Sequence, residues 1–87
     1  MSGTQVLLAD YVQNGSEQAF RDLVTSYITF VFSAALRVVG GDRSLAEDVT
    51  QTVFTDLARK AQSLPNDVKL GGWLHRHTCF VGRKAVR

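Results

Sequence analysis

The stretch SLAEDVTQTVFTDLAR, residues 44–59, has the strongest helical signal in the chain and decides the fold class. Ser44 and Glu47 have the spacing of a capping box, in which the serine oxygen accepts from the amide of Glu47 and the glutamate reaches back to the Ser44 amide. Apolar residues then recur at helical spacing on one side, namely Val49, Val53, Leu57 and Ala61, with Phe54 beside them. The pattern predicts an amphipathic helix over residues 44–62.

The opposite side of this predicted helix is polar. At 100° per residue, five side chains fall within about 100° of arc, namely Asp48, Gln51, Thr52, Thr55 and Arg59. Such a face is either solvated or a docking surface for a partner, and the spacing alone leaves both interpretations open.

Three further helices are predicted on either side of this one. The first covers residues 4–13 and stops at Asn14-Gly15, and the second covers residues 16–39, with Ser16 as its cap and Gly40-Gly41 after it. The fourth covers residues 70–86, after a loop at 62–69 that contains Pro65. No segment shows strand alternation, so we expect an all-α fold, a compact bundle of about four helices forming one domain over residues 1–87. The second helix is apolar nearly all round in its second half, so we expect the others to cover it.

Length and composition limit the classes of protein to consider. With 45% hydrophobic residues, 87 residues are enough for one small core. A single cysteine, Cys79, cannot form an internal disulfide, and no charged-then-apolar leader opens the chain, so we expect a reducing, cytoplasmic location. The apolar run at residues 27–39 is shorter than the roughly 20 residues that a membrane span needs.

Charge is distributed unevenly along the chain. Residues 1–67 hold five basic residues and all eight acids, a net charge of −3, whereas residues 68–87 hold five basic residues and no acid. Separation of charge in one small domain suggests two surfaces with different partners. The alternative for the basic segment is a solvated helix end whose cations favour the helix dipole.

The fourth predicted helix arranges this charge in a row. Arg83 and Arg87 lie within about 20° of Arg76 in projection, and Lys69 would join them if the helix began early. The side predicted to face the core contains Leu70, Leu74, His77, Val81 and Ala85. Trp73 and Phe80 lie between the two stripes. Their rings either stack on unpaired bases or close the edge of the core, and for Phe80 we favour the core edge.

Nothing in the sequence favours catalysis, and we expect no enzyme activity, cofactor or metal. The nearest metal-like group is His75, His77 and Cys79, but on a helix the two histidines point about 200° apart and no fourth ligand is evident. We interpret His77 as a histidine at the core edge and His75 as a surface or nucleic-acid contact. There is no phosphate-binding glycine loop and no nucleophile motif.

Residues 46–54, AEDVTQTVF, followed about twenty residues later by Trp73-Leu74 and Arg76 in a basic helix, carry a resemblance to a known family. The chain resembles the conserved region 2 of bacterial RNA polymerase sigma factors of the sigma-70 family, and most closely the extracytoplasmic-function group. The resemblance extends from about Ser16 to Arg87. It implies a helical transcription-initiation domain that docks on the clamp helices of the largest polymerase subunit and that recognises and melts the minus-ten promoter element.

The resemblance also implies roles for individual residues. It places the polymerase-binding residues on the third helix, at Asp48, Gln51, Thr52, Thr55 and Arg59. It places contacts to the non-template strand of promoter DNA in the loop and on the last helix, at Asn66, Lys69, Trp73, His75, Arg76, Arg83, Lys84 and Arg87. The chain departs from the family pattern at Thr52, at His77-Thr78, at Phe80 and at Lys84, so individual base contacts do not transfer.

A second interpretation comes from a different functional class. The family's second DNA-binding domain, region 4, has no counterpart in residues 1–87, which fits a piece of a longer sigma factor or a truncated relative. It also fits a degenerate sigma-like protein-interaction domain that an anti-sigma factor or another regulator binds, without DNA opening. Binding to core polymerase separates the two interpretations.

Overall fold

Four α-helices and one 3-10 turn account for most of residues 3–86, the part of the chain that the computed structural model describes. Helix α1 spans Gly3–Asn14, α2 spans Glu17–Val38, α3 spans Arg43–Lys60 and α4 spans Leu70–Ala85, while the 3-10 turn is Ala61–Ser63. No strand occurs between residues 3 and 86. The all-α prediction is confirmed.

Helix α2 is the scaffold on which the other helices assemble. It packs against α1, α3 and α4, and α3 packs against α4. At 1.5 Å per residue its 22 residues make a rod of about 33 Å, which accounts for most of the 37 Å length of the molecule. Ser16 caps it as predicted, because the Ser16 hydroxyl accepts from the Ala19 amide at 3.1 Å.

The core lies where α2, α3 and α4 meet. Its fully buried side chains include Leu23 and Val31 of α2, Val53 and Leu57 of α3, and Leu74 of α4. For α3 and α4 these residues belong to the apolar side that the sequence predicted to face the core.

The start of α3 differs from the prediction. Gly40 and Gly41 adopt φ values of 69° and 88°, a left-handed turn that glycine enters without steric cost. This turn leaves Asp42 extended, and its Oδ1 accepts from the Leu45 amide at 3.0 Å. Asp42 is therefore the cap and Ser44 lies inside the helix, so the capping box predicted at Ser44 is wrong. Helix α3 also ends at Lys60, two residues earlier than predicted, because the chain tightens into the 3-10 turn.

The inward side of α4 also differs in part. Leu70 and Leu74 are buried as predicted, but Ala85 is exposed, while Thr78 and Gly82 are buried. The Thr78 hydroxyl donates to the Leu74 carbonyl at 2.6 Å, which satisfies a polar group with no access to solvent. A Cβ on Gly82 would lie 2.6 Å from Cγ1 of Val38, so glycine is needed where α4 crosses α2.

The prediction that the other helices cover the second half of α2 is right for one side, where Val31, Ala34 and Ala35 are buried, and wrong for the other. Ile28 and Phe30 keep 45% and 43% of their surface exposed. By length and composition α2 could cross a membrane, with a mean hydropathy of 1.2 over an 18-residue window of which 28% is buried. Core helices of soluble proteins pass the same test, so it does not assign a location.

Candidate functional site

The outward side of α3 forms a shallow polar groove of about 450 Å³. All five residues predicted for this side line it, together with Asp56, namely Asp48, Gln51, Thr52, Thr55 and Arg59. These five side chains are exposed. The structure therefore brings the predicted set together on one surface, which we call the α3 face.

The two charged side chains of the α3 face, Asp48 and Arg59, are exposed. Among residues 3–86 neither Asp48 nor Arg59 forms an ion pair, and Thr55 uses its hydroxyl to bond the Gln51 carbonyl at 2.9 Å. Gln51 offers both a donor and an acceptor. An exposed acid, an exposed base and an exposed amide suit recognition of a polar partner surface.

A larger apolar groove of about 780 Å³ runs beside the α3 face, between α2 and α3. Its apolar lining consists of Phe20, Val24, Ile28, Phe32, Phe54 and Ala58. Gln51 and Thr55 line both grooves, so the two surfaces are continuous. The sequence indicated this groove only through the excess of apolar residues in α2, and we interpreted those residues as buried under the other helices. Three short helices cannot cover all of it, and the remainder is this groove.

The outward side of α4, which we call the α4 face, is basic and aromatic. Arg76, Arg83 and Lys84 are exposed, as predicted, and Arg87 lies outside the described residues. Phe80 is 55% exposed, so our interpretation of this ring as the core edge is wrong. Its ring lies 5.0 Å from Nζ of Lys84 and 6.1 Å from the His77 ring. Trp73 is half-buried and packs against the core.

Four residues of the α4 face line a small groove of about 220 Å³, namely Trp73, Arg76, His77 and Phe80. His77 was not predicted as a site residue. Its ring stacks on Trp73, with centroids 4.8 Å apart and planes 16° apart, and its Nε2 donates to Oδ2 of Asp56 at 2.8 Å. The helical projection placed His77 at the core edge, as observed. A projection of α4 alone does not show which residue of α3 contacts His77.

The second histidine, His75, lies on another side of α4. It is exposed, and its ring is 6.2 Å from Phe30 of α2, whereas His77 contacts Asp56 of α3. Cys79 is half-buried and carries a free thiol. Among residues 3–86, no three His, Cys, Asp or Glu side chains are grouped so that they could hold a metal ion.

The two predicted loop residues lie apart from the α4 groove. Asn66 is exposed beside Pro65, in a cavity of about 280 Å³ that α1 also lines. Lys69 is the N-cap residue of α4 and is exposed, and α4 begins only at Leu70, so Lys69 is not part of the helical arginine row. The structure therefore joins Trp73 and Arg76 in one groove and places Asn66 and Lys69 elsewhere.

Comparison with known proteins gives one match. A family model described as Sigma-70 region 2 matches residues 23–79, which include most of α2, all of α3 and the first ten residues of α4. No curated protein and no solved structure gives a significant match to the chain.

Proposed function

The chain belongs to the sigma-70 region 2 family, and from this premise we propose a separate partner for each of its two outward faces. Membership implies a transcription factor domain, rather than a known enzyme family, that acts in initiation with core RNA polymerase and promoter DNA. We assign polymerase to the α3 face and the non-template strand of the minus-ten element to the α4 face. One observation supports this division: adjacent helices of one domain present faces of different charge and aromatic content.

The α3 face has the properties of a protein-docking surface. Asp48 and Arg59 are exposed and form no ion pair with another residue of the described range 3–86. Gln51 and Thr55 connect the polar groove to the apolar one. Interfaces commonly combine an apolar centre with a polar rim, in which charged groups determine register and partner choice. We propose that this face docks on the clamp helices of the largest polymerase subunit, with Asp48 and Gln51 as the main polar contacts and Thr52, Thr55 and Arg59 around them.

The α4 face has the properties of a single-strand binding surface. Arg76, Arg83 and Lys84 supply positive charge for phosphates, and the exposed ring of Phe80 and the half-buried ring of Trp73 supply aromatic area for stacking. Flipping a base out of a duplex costs a few kcal/mol, and stacking on an aromatic side chain returns about 1–3 kcal/mol per base. We assign promoter opening to this face, with Asn66, Lys69, His75 and Arg87 as secondary contacts.

The remaining features of the proposal follow from the same premise. We place the domain in the extracytoplasmic-function group, because AEDVTQTVF and the later Trp73-Leu74 are the residues that resemble that group. We also place it in the cytoplasm, where the polymerase works, and assign it no cofactor.

The DNA half of the proposal can be tested by fluorescence anisotropy with a labelled oligonucleotide. We expect the chain to bind a single strand more tightly than the matching duplex, with an affinity that falls steeply as salt rises. Arg76→Glu combined with Arg83→Glu should reduce binding below detection. The matched control is Arg21→Glu combined with Arg37→Glu, two exposed arginines of α2, which should bind as the unaltered chain does. Unchanged binding after reversal on α4 would contradict the assignment.

A second candidate function is supported by the apolar groove. Its volume of about 780 Å³ and its exposed Ile28 would also suit a helix of an anti-sigma factor or another regulator. In that case the domain would bind the regulator and neither polymerase nor DNA. Retention of core polymerase by the chain would exclude this candidate as the sole function.

A further inference from the structure

An exposed aromatic ring and an exposed apolar groove lie on different sides of the molecule. The ring is that of Phe80 on α4, which is 55% exposed. The groove is the apolar one between α2 and α3, where Ile28 keeps 45% of its surface exposed. Its volume of about 780 Å³ is in the range of sites that enclose a small ligand, so it has room for an aromatic ring. Phe80 does not line the groove of its own chain, so its ring can enter such a groove only on a second copy.

The charges beside the ring and beside the groove are opposite in sign. The α4 face presents three exposed cations, namely Arg76, Arg83 and Lys84. Within residues 3–86, Glu47 is the one charged residue that lines the apolar groove, and Asp48 of the adjoining α3 face is exposed. Opposite charges around two apolar surfaces attract those surfaces and determine their orientation. The occupant that best fits the groove is therefore an aromatic ring with cations around it, which is the description of the α4 face.

We propose that the chain associates with itself head to tail, with the Phe80 ring of one copy in the apolar groove of the next. The cations of the α4 face then lie beside Glu47 and Asp48 of that second copy. The orientation is further restricted by Arg43, whose guanidinium carbon lies 5.8 Å from the centre of the Phe32 ring at one end of the groove. Because Arg43 repels the α4 cations, the contact is displaced toward the acidic side of the groove.

This contact joins two different surfaces, so it is heterologous. Each copy keeps one unused surface after the first contact, and assemblies therefore grow into rings or open chains as the concentration rises. The contact covers the α4 face of one copy and the groove beside the α3 face of the next. A copy with neighbours on both sides is thus closed to DNA and to polymerase, a consequence that rests on the proposed function.

Sedimentation velocity of the 87-residue chain at low salt, over a range of concentrations, measures the association. We expect the average mass to rise with concentration and the association to weaken as salt rises. Phe80→Asp and Ile28→Asp should each weaken it at least about tenfold, because a carboxylate replaces the apolar contact. Val6→Asp is the matched control, because Val6 is 50% exposed on α1 and lines neither the apolar groove nor the α4 groove. An unaltered chain that stays monomeric at every concentration would overturn the proposal.

Mixing the two disabled variants distinguishes a head-to-tail contact from other modes of association. Phe80→Asp retains its groove and Ile28→Asp retains its ring, so the mixture should form a dimer with one copy of each and grow no further. No association in the mixture would overturn the proposal, as would unaltered association of either variant alone. If either variant does not fold, as judged by circular dichroism, Arg83→Glu and Glu47→Arg replace the pair, with the same expected and contrary results.

A labelled single-stranded oligonucleotide separates this inference from the proposed function. The strand and a second copy compete for the α4 face, so a saturating strand should disperse the assemblies. Assemblies that bind the strand and persist would overturn the place of the α4 face in the contact. If the unaltered chain does not bind the strand, the DNA assignment is overturned, and the mixing result alone decides the self-association.

Discussion

Helices α3 and α4 pack against each other and against α2, yet their outward faces have little in common. The α3 face carries an acid, a base and three uncharged polar side chains, with an apolar groove beside it. The α4 face carries only cations and rings among its exposed side chains at Arg76, Phe80, Arg83 and Lys84. The inward sides meet the same requirement, which is to fill one core. The outward sides are free of that requirement, and we propose that their composition reflects their partners.

The largest expected effect concerns the close packing on which both faces depend. Gly82→Ala places a Cβ 2.6 Å from Cγ1 of Val38, and the displacement should lower the free energy of unfolding by about 1–3 kcal/mol. Gly72→Ala is the matched control, because no atom lies within 4 Å of its added Cβ, and alanine there should be neutral or stabilising by up to about 1 kcal/mol. Urea denaturation followed by circular dichroism measures the free energy of unfolding of both variants. Equal stability of the two variants would show that α4 does not cross α2 as described.

A smaller effect, on single-strand binding and its salt dependence, distinguishes the two faces when one arginine on each face is replaced. Arg76→Ala should weaken single-strand binding several-fold and lower the slope of log affinity against log salt by about 0.7, the value for one phosphate contact on a single strand. Arg59→Ala removes the same side chain from the α3 face and should change neither quantity. Anisotropy titrations at four salt concentrations provide the measurement. If both variants lose the same salt dependence, the charge acts through the whole domain and the two faces are not separate sites.

The smallest effect tests the cap that determines where α3 begins. Asp42→Ala removes the acceptor for the Leu45 amide and should cost about 1 kcal/mol of unfolding free energy. Ser44→Ala, two residues later, should cost much less, because Ser44 lies inside the helix and is exposed. Thermal unfolding ranks the stabilities of the two variants. The reverse order would restore the capping box at Ser44 that the sequence suggested.

The sequence predicted the features that local patterns determine. Helix number, the Ser16 cap, the grouping of Asp48, Gln51 and Arg59, and the exposure of Arg76 and Arg83 all follow from spacing along one helix. The cap of α3 was predicted at Ser44 but lies at Asp42, because its position depends on the left-handed turn at Gly40-Gly41.

Features that depend on contacts between helices could not be predicted in this way. The His77–Asp56 hydrogen bond joins α4 to α3, and a projection of either helix alone does not contain it. The close approach at Gly82 and the apolar groove beside Ile28 depend on how near α2 the other helices lie. Phe80 was misassigned for the same reason: Thr78 and Gly82 are the buried positions in this part of α4, and the Phe80 ring lies beside His77 and Lys84 instead.

The most direct test of two faces with two partners is retention of core RNA polymerase by the immobilised 87-residue chain. We expect the unaltered chain to retain polymerase. Asp48→Arg should reduce retention at least tenfold, because the new cation is either repelled by a like charge or left unpaired in the interface. Gln51→Ala should reduce retention less. Asp22→Arg, a reversal of an exposed acid that lines neither groove beside α3, should retain polymerase normally. All three variants should bind single-stranded DNA as the unaltered chain does. No retention by the folded, unaltered chain, or equal retention by Asp48→Arg, would contradict the assignment of polymerase to the α3 face.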